Sequence, residues 1–178
     1  GVWHDLDLHI DLRHLSQIAD ARIIISNATF IDSSTKQVYF IDRPPITFDV
    51  LSLNVGGQTN SSVIPGSVQN TIPVKPIATF QKKFESLLKS KLPQKIAIIG
   101  GGAAGCELAL ALLKRWKVEA GHFPELTIIS RSKNLMPKMA ARAGQIAEQK
   151  LRLRGAKLLL GRKVTKVEPN TITIENDD

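Results

Sequence analysis

The sequence is poor in three features that would each mark a distinct class of protein. It holds one cysteine, Cys106, in 178 residues, so neither an intrachain disulfide nor a dithiol pair can form within it. Its apolar runs are short, such as Ile96 to Ile99, far below the roughly 18 to 20 residues that span a bilayer. Aromatic residues make up 5%, too few for the stacking platform of a typical nucleic-acid binder. We therefore expect a cytoplasmic protein with no transmembrane helix.

Two further observations support this expectation. Residues 1–12 alternate charged and apolar side chains and lack the apolar core of a secretory signal. Apolar residues make up 43% of the chain, which is ordinary for a globular protein with a packed core.

Charge is unevenly distributed along the chain. Residues 1–74 hold four basic residues against seven Asp, a net charge of −3, whereas residues 75–178 hold twenty Lys and Arg against nine acids, a net charge of +11. A basic half suits nucleic acid, an anionic membrane surface or a phosphorylated ligand. Because the cations are dispersed, a basic solvent-exposed surface that also helps to bind a phosphate is the favoured interpretation.

The first 70 residues predict short extended segments. Alternating apolar residues predict a strand over 5–12, and Asp11 is placed to cap a short helix over 12–19. Further strands are predicted over 22–26, 27–32, 37–41 and 48–55, the middle two joined by the polar turn Ser33-Ser34-Thr35. The Ser-, Asn- and Thr-rich stretch 58–70 is predicted to be a loop.

From residue 76 onward the pattern is that of alternating helices and strands. Helices are predicted over 76–91, 103–116 and 138–154, the last ended by Gly155. Strands are predicted over 95–99, 126–129, 157–160, 163–167 and 171–175. The overall prediction is an α/β fold with a central parallel sheet and a β-meander flap.

The segment 95–109 carries the strongest functional signal. It reads Lys-Ile-Ala-Ile-Ile-Gly-Gly-Gly-Ala-Ala-Gly-Cys-Glu-Leu-Ala, so that Gly100, Gly102 and Gly105 have G-x-G-x-x-G spacing between a predicted strand and a predicted helix. In dinucleotide-binding βαβ units the first glycine permits the tight turn. The second lets the diphosphate approach the backbone, and the third lets the helix pack closely on the strand.

A dinucleotide diphosphate would be held by the free N–H groups at the start of this helix, where the helix dipole is positive. The residues that the motif predicts to bind the cofactor are Gly100, Gly102, Ala103, Ala104 and Gly105. The alternative is a glycine-rich turn of purely structural use.

The end of the next strand bears on which nucleotide is preferred. An acid there would bind the ribose 2′-OH of NAD, whereas Arg suits the 2′-phosphate of NADP. This chain has Ile129-Ser130-Arg131-Ser132-Lys133, with Arg131 to pair with a phosphate and Ser130 and Ser132 to donate hydrogen bonds to it. NADPH is therefore modestly preferred, and an exposed loop arginine without this role is the alternative.

Two neighbouring residues invite other interpretations. Glu107 is expected in the first turn of the helix, where an acid favours the helix dipole. Cys106 is expected to be a small packing residue and not a nucleophile, since it has no resolving partner.

A metal site and a catalytic triad are both disfavoured. Of the N-terminal residues His4, Asp5, Asp7 and His9, the last three could share one strand face, but the spacing of the cluster matches no common metal motif. The G-x-S-x-G elbow of a serine hydrolase is missing from the sequence.

These residues resemble the two-dinucleotide-binding flavoproteins of the pyridine nucleotide-disulfide oxidoreductase superfamily. The glycine segment is similar to their nicotinamide fingerprint, and residues 48–57 and 64–66 are similar to their Y-D-x-L-x-x-A-T-G and (I/V)-P-G segments, although Asn54 and Val55 depart from Ala-Thr. Residues 154–158 and 163–168 resemble the strands that close the NAD domain. Short segments, such as Ile10 to Arg13, look most like the type II NADH dehydrogenase branch and the module fused to selenide, water dikinase.

The resemblance implies an FAD-dependent NAD(P)H oxidoreductase. In that case the flavin would take hydride from the nicotinamide and pass electrons to a second acceptor, a quinone being one candidate. Glu107 would lie near the nicotinamide ribose, and Gly56 and Gly57 near the flavin. A homodimer and a location peripheral to a membrane are further expectations of this resemblance.

Departures from the family pattern shape the domain prediction. The family's first G-x-G-x-x-G, for the ADP half of FAD, and its later Gly-Asp segment are missing from the sequence. We therefore predict an internal fragment, with residues 1–66 a partial FAD-binding segment and residues 67–178 a nearly complete NAD(P)-binding domain. Its own turnover and stable FAD binding are not expected.

Three other functions remain open. The first is a regulatory module that binds NAD(P) without chemistry. The second is a methyltransferase-like domain, against which the glycine spacing and the extended meander argue. The third is a nucleic-acid-binding domain, suggested by the basic half and opposed by the few aromatic residues.

Overall fold

A computed structural model describes residues 10–57, 63–89 and 95–175. The chain divides into two compact units, residues 2–56 and residues 57–178. The strand predicted over 5–12 and the His4 to His9 cluster lie almost wholly outside the described residues. The assignment of 1–66 to a flavin segment and 67–178 to an NAD(P)-binding domain stays a prediction.

The first described element of this unit is helix α1, Leu12–Ile18, whose cap was predicted. The carboxylate of Asp11 accepts a hydrogen bond from the Arg13 N–H at 2.9 Å, which satisfies one of the free donors of the first turn.

An antiparallel sheet follows in the order β1, β2, β3, formed by Ala28–Asp32, Gln37–Phe40 and Ile46–Thr47. The β1–β2 hairpin was predicted. Its turn is held by the Asp32 carboxylate, which accepts from the Ser34 and Thr35 N–H groups at 2.8 and 3.2 Å.

Two predicted strands of this unit are wrong. Residues 22–26 and 48–55 have no strand structure, and most of their apolar side chains stay exposed, as at Ile25 (86%) and Val50 (90%). Apolar alternation makes these segments able to extend, but an extended segment becomes a strand only when another strand takes up its backbone hydrogen bonds. The short β3 strand was not predicted, and it forms because Ile46 and Thr47 pair with Val38 and Gln37.

The second unit carries the parallel sheet. Its elements in chain order are α2 (Ser67–Asn70), α3 (Ile77–Lys89), β4 (Lys95–Ile99), α4 (Ala103–Ala120), β5 (Glu125–Ser130), α5 (Ala141–Arg152), β6 (Lys157–Leu160), β7 (Val164–Glu168) and β8 (Thr171–Ile174). Strands β4, β5 and β6 are adjacent in that order and parallel, with Ile98 opposite Ile128 and Ile128 opposite Leu158. This α/β arrangement with a central parallel sheet is the predicted fold class.

Apolar residues pack on both faces of this sheet. The helix-covered side buries a core of Ile98, Cys106, Ala109, Leu112, Leu113, Trp116, Leu126, Ile128, Leu135, Ala147, Leu151 and Ala156. A smaller cluster joins β5 to the β7–β8 hairpin through Ile129, Val164 and Val167, with Ile64 against it. Both faces are buried at the centre of β5, at Ile128 and Ile129, whereas β4 leaves Ile99 39% exposed.

The helix bounds differ from the prediction by more than two residues at two ends. Helix α4 runs four residues past the predicted Trp116 and ends where Gly121 adopts φ +75°, since glycine takes that conformation at low cost. Helix α5 begins at Ala141 and not at Lys138. The residues before it form a loop that places the buried Leu135 in the core.

Candidate functional site

The loops at the carboxyl edge of the parallel sheet are tied together by backbone hydrogen bonds. The Gly100 N–H, just after β4, donates to the Ile129 carbonyl at 2.8 Å. The Gly161 and Arg162 N–H groups, just after β6, donate to the Ser132 and Ser130 carbonyls at 3.0 and 2.9 Å. This is the edge at which open α/β sheets bind their ligands.

Two of the motif glycines are required by the backbone itself. Gly100 has φ +121°, a conformation that residues with a Cβ rarely adopt. A Cβ on Gly105 would lie 2.0 Å from the Gly100 carbonyl oxygen, so that only glycine allows the helix to pack so close to the turn. The structure thus explains the first and third glycines in the way the motif predicts.

Gly102 is required by neither its backbone conformation nor its neighbours. Its φ is −74°, and a Cβ there would meet nothing within 4 Å. It is the N-cap of α4 and provides no capping side chain, and the first intrahelical bond runs from the Cys106 N–H to the Gly102 carbonyl at 3.0 Å. The N–H groups of Ala103 and Ala104 consequently have no acceptor inside the helix.

This open helix start fits the diphosphate of a dinucleotide. A bare backbone at Gly102, free donors behind it and the positive end of an 18-residue helix together favour an anion.

Gly101 is a site residue that the sequence analysis missed. A Cβ on it would lie 2.8 Å from Ser130 Oγ and 2.9 Å from Leu135 Cδ2, and its carbonyl accepts from the Met136 N–H at 2.7 Å. Gly101 therefore fixes the glycine turn against the loop that follows β5. The available signal was the run Gly100-Gly101-Gly102 itself, which has one glycine, Gly101, more than the motif requires.

The predicted nucleotide-selecting residues differ in accessibility. Ser130 is buried, and its hydroxyl oxygen accepts from the Ser132 N–H at 3.3 Å. The Arg131 side chain is exposed. The structure thus places Arg131 at the carboxyl edge of the sheet, with Ser130 beneath it as part of the packing under the loop.

Glu107 and Cys106, which are adjacent in α4, differ in exposure. Glu107 is exposed and is the fifth residue of α4, so the prediction that it lies in the first turn is wrong, and that turn holds no acid. Cys106 is completely buried in the core. Burial, and secondarily the charge of Glu107, raise the pKa of its thiol, consistent with the predicted packing role.

The glycines assigned to the flavin lie at the division between the units. Gly56 has φ +76°, and a Cβ on Gly57 would lie 4.0 Å from Lys75 Nζ. The other helix in the described residues that starts with glycine, α2, is closed, because a Cβ on Gly66 would lie 2.0 Å from the Val167 carbonyl oxygen. Of the two described helices that begin after a glycine, α4 thus has an open N-terminus and α2 does not.

Among the described residues, no helix combines the length and the apolar character that crossing a bilayer demands.

Comparison with known proteins yields a family and several relatives. The family model described as pyridine nucleotide-disulphide oxidoreductase matches residues 8–178. The NADH dehydrogenase-like protein YutJ of Bacillus subtilis (strain 168) is 24% identical over 149 residues, which are 84% of this chain and 41% of that protein. The chain thus spans less than half the length of this curated relative.

Solved structures show the same fold. Reduced CoADR-RHD of Bacillus anthracis has a TM-score of 0.71 at 17% identity, covering 97% of this chain and 31% of that one. The water-forming NADH oxidase of Lactobacillus brevis bound to NADH has a TM-score of 0.56 at 26% identity, covering 85% and 34%. An engineered NADPH oxidase made from it, bound to NADPH, has a TM-score of 0.57 at 26% identity, covering 84% and 33%. Nicotinamide nucleotides are thus bound in two of these neighbours, and a further neighbour from Desulfovibrio vulgaris is FAD-dependent, with a TM-score of 0.57 at 19% identity, covering 88% of this chain and 41% of that one.

Proposed function

The chain belongs to the pyridine nucleotide-disulphide oxidoreductase family, and from this premise we propose that it binds NAD(P)H at the glycine turn between β4 and α4. The chain would be the nucleotide-binding part of an FAD-dependent, NADH dehydrogenase-like oxidoreductase. That enzyme would pass hydride from nicotinamide to flavin and electrons on to a second acceptor.

The observation that carries the proposal is the contrast between Gly102 and its neighbours. Cβ atoms on Gly101 and Gly105 would collide with the protein at 2.8 and 2.0 Å, whereas one on Gly102 would meet nothing within 4 Å. The packing of the fold therefore explains why Gly101 and Gly105 are glycines, but it does not explain Gly102. A diphosphate that approaches the Gly102 backbone supplies the missing reason.

The chain's own residues would bind and orient the nucleotide. The N–H groups of Ala103 and Ala104 would donate to the diphosphate oxygens, and the α4 dipole would favour their charge. Glu107, one turn further along α4, is proposed to lie near the nicotinamide ribose. Gly56 and Gly57 are proposed to approach a flavin that residues beyond those described would have to hold.

We propose NADPH as the preferred nucleotide because of Arg131. An exposed guanidinium after β5 can pair in a bidentate manner with a 2′-phosphate, and no acid stands there to bind a 2′-OH. The engineered NADPH oxidase supports this assignment, since three consecutive residues of the parent, Asp, Ala and Met, are replaced in it by Ala, Arg and Ser. This chain has Arg-Ser at 131–132, directly after β5, which ends at Ser130.

The test is a separate titration of the chain with NADPH and with NADH, followed by nucleotide fluorescence. We expect NADPH to bind more tightly, and Arg131→Ala to weaken NADPH binding roughly ten- to hundredfold while changing NADH binding little, because a hydrogen bond to a charged group contributes about 1.5 to 3 kcal/mol. Lys157→Ala is the matched control, since it removes a positive charge from the first residue of β6, at the opposite edge of the sheet.

Two results would count against the proposal. If Arg131→Ala and Lys157→Ala weaken NADPH equally, general charge and not a 2′-phosphate contact explains the preference. If neither nucleotide binds below millimolar concentration to the folded chain, the glycine turn is not a nucleotide site by itself.

A second candidate is a module that binds NAD(P) without catalysis. Its support is that the single cysteine is buried with a raised pKa, so this chain provides no thiol chemistry of its own. NADPH-dependent reduction of ferricyanide with FAD added would favour the oxidoreductase, and tight NADPH binding without reduction would favour the module. A quinone acceptor, a homodimer, a membrane-peripheral location and the likeness to the selenide, water dikinase module stay predictions.

A further inference from the structure

A groove of about 450 Å³ lies between the second half of α4 and the end of α5. Its apolar lining includes Leu110 and Val118, which are eight residues apart and therefore on one face of α4, together with Phe123 from the following loop. Val118 is 71% exposed and Phe123 is 40% exposed. The groove thus presents apolar side chains to solvent.

Four cationic side chains line the same groove, namely Lys114, Lys117, Lys150 and Arg154. Two of them serve the helix ends: Lys117 Nζ donates to the Gly121 carbonyl at 2.8 Å and Arg154 Nη1 donates to the Lys150 carbonyl at 2.9 Å. The side chains of Lys114 and Lys150 make no hydrogen bond or ion pair with any described residue. They are available to a ligand.

The acids near the groove do not neutralise these cations. Glu119 pairs with Arg115 at 2.7 Å, and Glu148 pairs with Arg152 at 2.9 Å. No carboxylate is among the residues that line the groove. An uncompensated positive rim over an apolar floor is complementary to a ligand with an anionic head and an apolar tail.

The size of the groove favours a small molecule over a protein. Its volume falls within the range of about 300 to 1,000 Å³ that is usual for ligand sites. A stable protein interface involves about 20 to 30 residues on each side, whereas eight residues line the groove.

We infer that this groove binds the anion of a free fatty acid. The carboxylate lies between the amines of Lys114 and Lys150, and the alkyl chain lies along Leu110, Val118 and Phe123. Lys114 is eleven residues from Ala103, about 17 Å along the helix, so this site is separate from the proposed nucleotide site and does not depend on it.

The test is calorimetric titration of the chain with dodecanoate below its micellar concentration. Three comparison ligands separate the contributions: dodecyltrimethylammonium reverses the charge of the head, dodecanol removes it, and acetate removes the tail. We expect saturable one-to-one binding for dodecanoate and markedly weaker binding for the other three.

The matched variants are Lys114→Gln/Lys150→Gln and Lys82→Gln/Lys83→Gln. The second pair removes two exposed lysines of α3 that do not line the groove. We expect the first pair to weaken dodecanoate binding about tenfold, because the carboxylate loses both of its charged partners, and to leave NADPH binding and the melting temperature unchanged. The second pair should bind dodecanoate like the parent.

Several outcomes would overturn the inference. One is the lack of saturable binding, and another is an equal effect of the two variant pairs. Equal affinity for dodecyltrimethylammonium would show that the rim charges are irrelevant. Binding to vesicles of phosphatidylglycerol without binding to monomeric dodecanoate would assign the groove to a membrane surface, contrary to the proposal.

Discussion

Gly102→Ala and Gly105→Ala separate the requirements of folding from those of nucleotide binding. Both changes add one methyl group to the same glycine turn. A Cβ at position 105 would lie 2.0 Å from the Gly100 carbonyl oxygen, more than an ångström inside ordinary van der Waals contact, whereas one at 102 would meet no atom within 4 Å. We expect the two variants to fail in different ways.

The expected magnitudes follow from these distances. Gly105→Ala must displace α4 from the turn, and because the obstacle is backbone, the cost should be at the upper end of the roughly 1 to 3 kcal/mol of overpacking. This would lower the melting temperature by about 5 to 15 °C for a unit of this size. Gly102→Ala should change stability by about 1 kcal/mol or less, the scale of an N-cap substitution, and it should weaken NADPH binding more than tenfold, since the methyl group takes the place of the diphosphate.

The assay combines thermal unfolding by circular dichroism with NADPH titration on the same samples. The reasoning is refuted if Gly102→Ala binds NADPH like the parent chain, or if Gly105→Ala keeps the parent's melting temperature. Ser67→Ala, remote from the turn, is an unsuitable control because its hydroxyl donates to Ile64 at 2.7 Å, whereas Lys82→Ala changes an exposed residue of α3 and should leave both readouts unchanged.

Three further predictions follow from local contacts. The Ser34 hydroxyl, with neighbouring donors, lowers the pKa of Asp32 from 3.8 to about 2. The contribution of the Asp32 carboxylate to hairpin stability is therefore present above pH 4 and lost as the pH falls through 2. Carboxyl NMR titration should show this pKa, and a pKa near 4 would contradict the prediction. Cys106, buried with a raised pKa, should react with iodoacetamide far more slowly in the native than in the denatured chain, and equal rates would contradict the packing. Gly144→Ala would place a Cβ 2.4 Å from the Leu135 carbonyl oxygen and should lower the melting temperature by several degrees, as about 1 to 3 kcal/mol of overpacking implies; an unchanged temperature would refute this.

The sequence predicted the parts of the fold in which pattern and environment agree. Strand β4 was predicted at its observed bounds, Lys95–Ile99, because a short apolar run followed by glycines has few other solutions. The turn after it could be interpreted residue by residue, since the steric demands on Gly100 and Gly105 are local to a strand-turn-helix unit.

The failures share a cause that lies outside any local window. Residues 22–26 and 48–55 have strand-like composition, but they lack a pairing strand among the described residues, and the pattern of a segment does not reveal its partners. Gly101 was missed for a related reason, because the atoms it must avoid belong to Ser130 and Leu135, about thirty residues further along the chain. The position of Glu107 was wrong although the start of α4 at Ala103 was predicted correctly, because Glu107 is the fifth residue of the helix and one turn holds 3.6 residues.

The most direct test of the central claim is an amide NMR titration of the ¹⁵N-labelled chain with NADPH. We expect NADPH to change the amide chemical shifts most at Gly102, Ala103, Ala104 and Arg131, and to leave those of the hairpin around Asp32 unchanged. Saturable NADPH binding that leaves the glycine-turn amides unshifted would contradict it, because the nucleotide would then lie elsewhere on the chain.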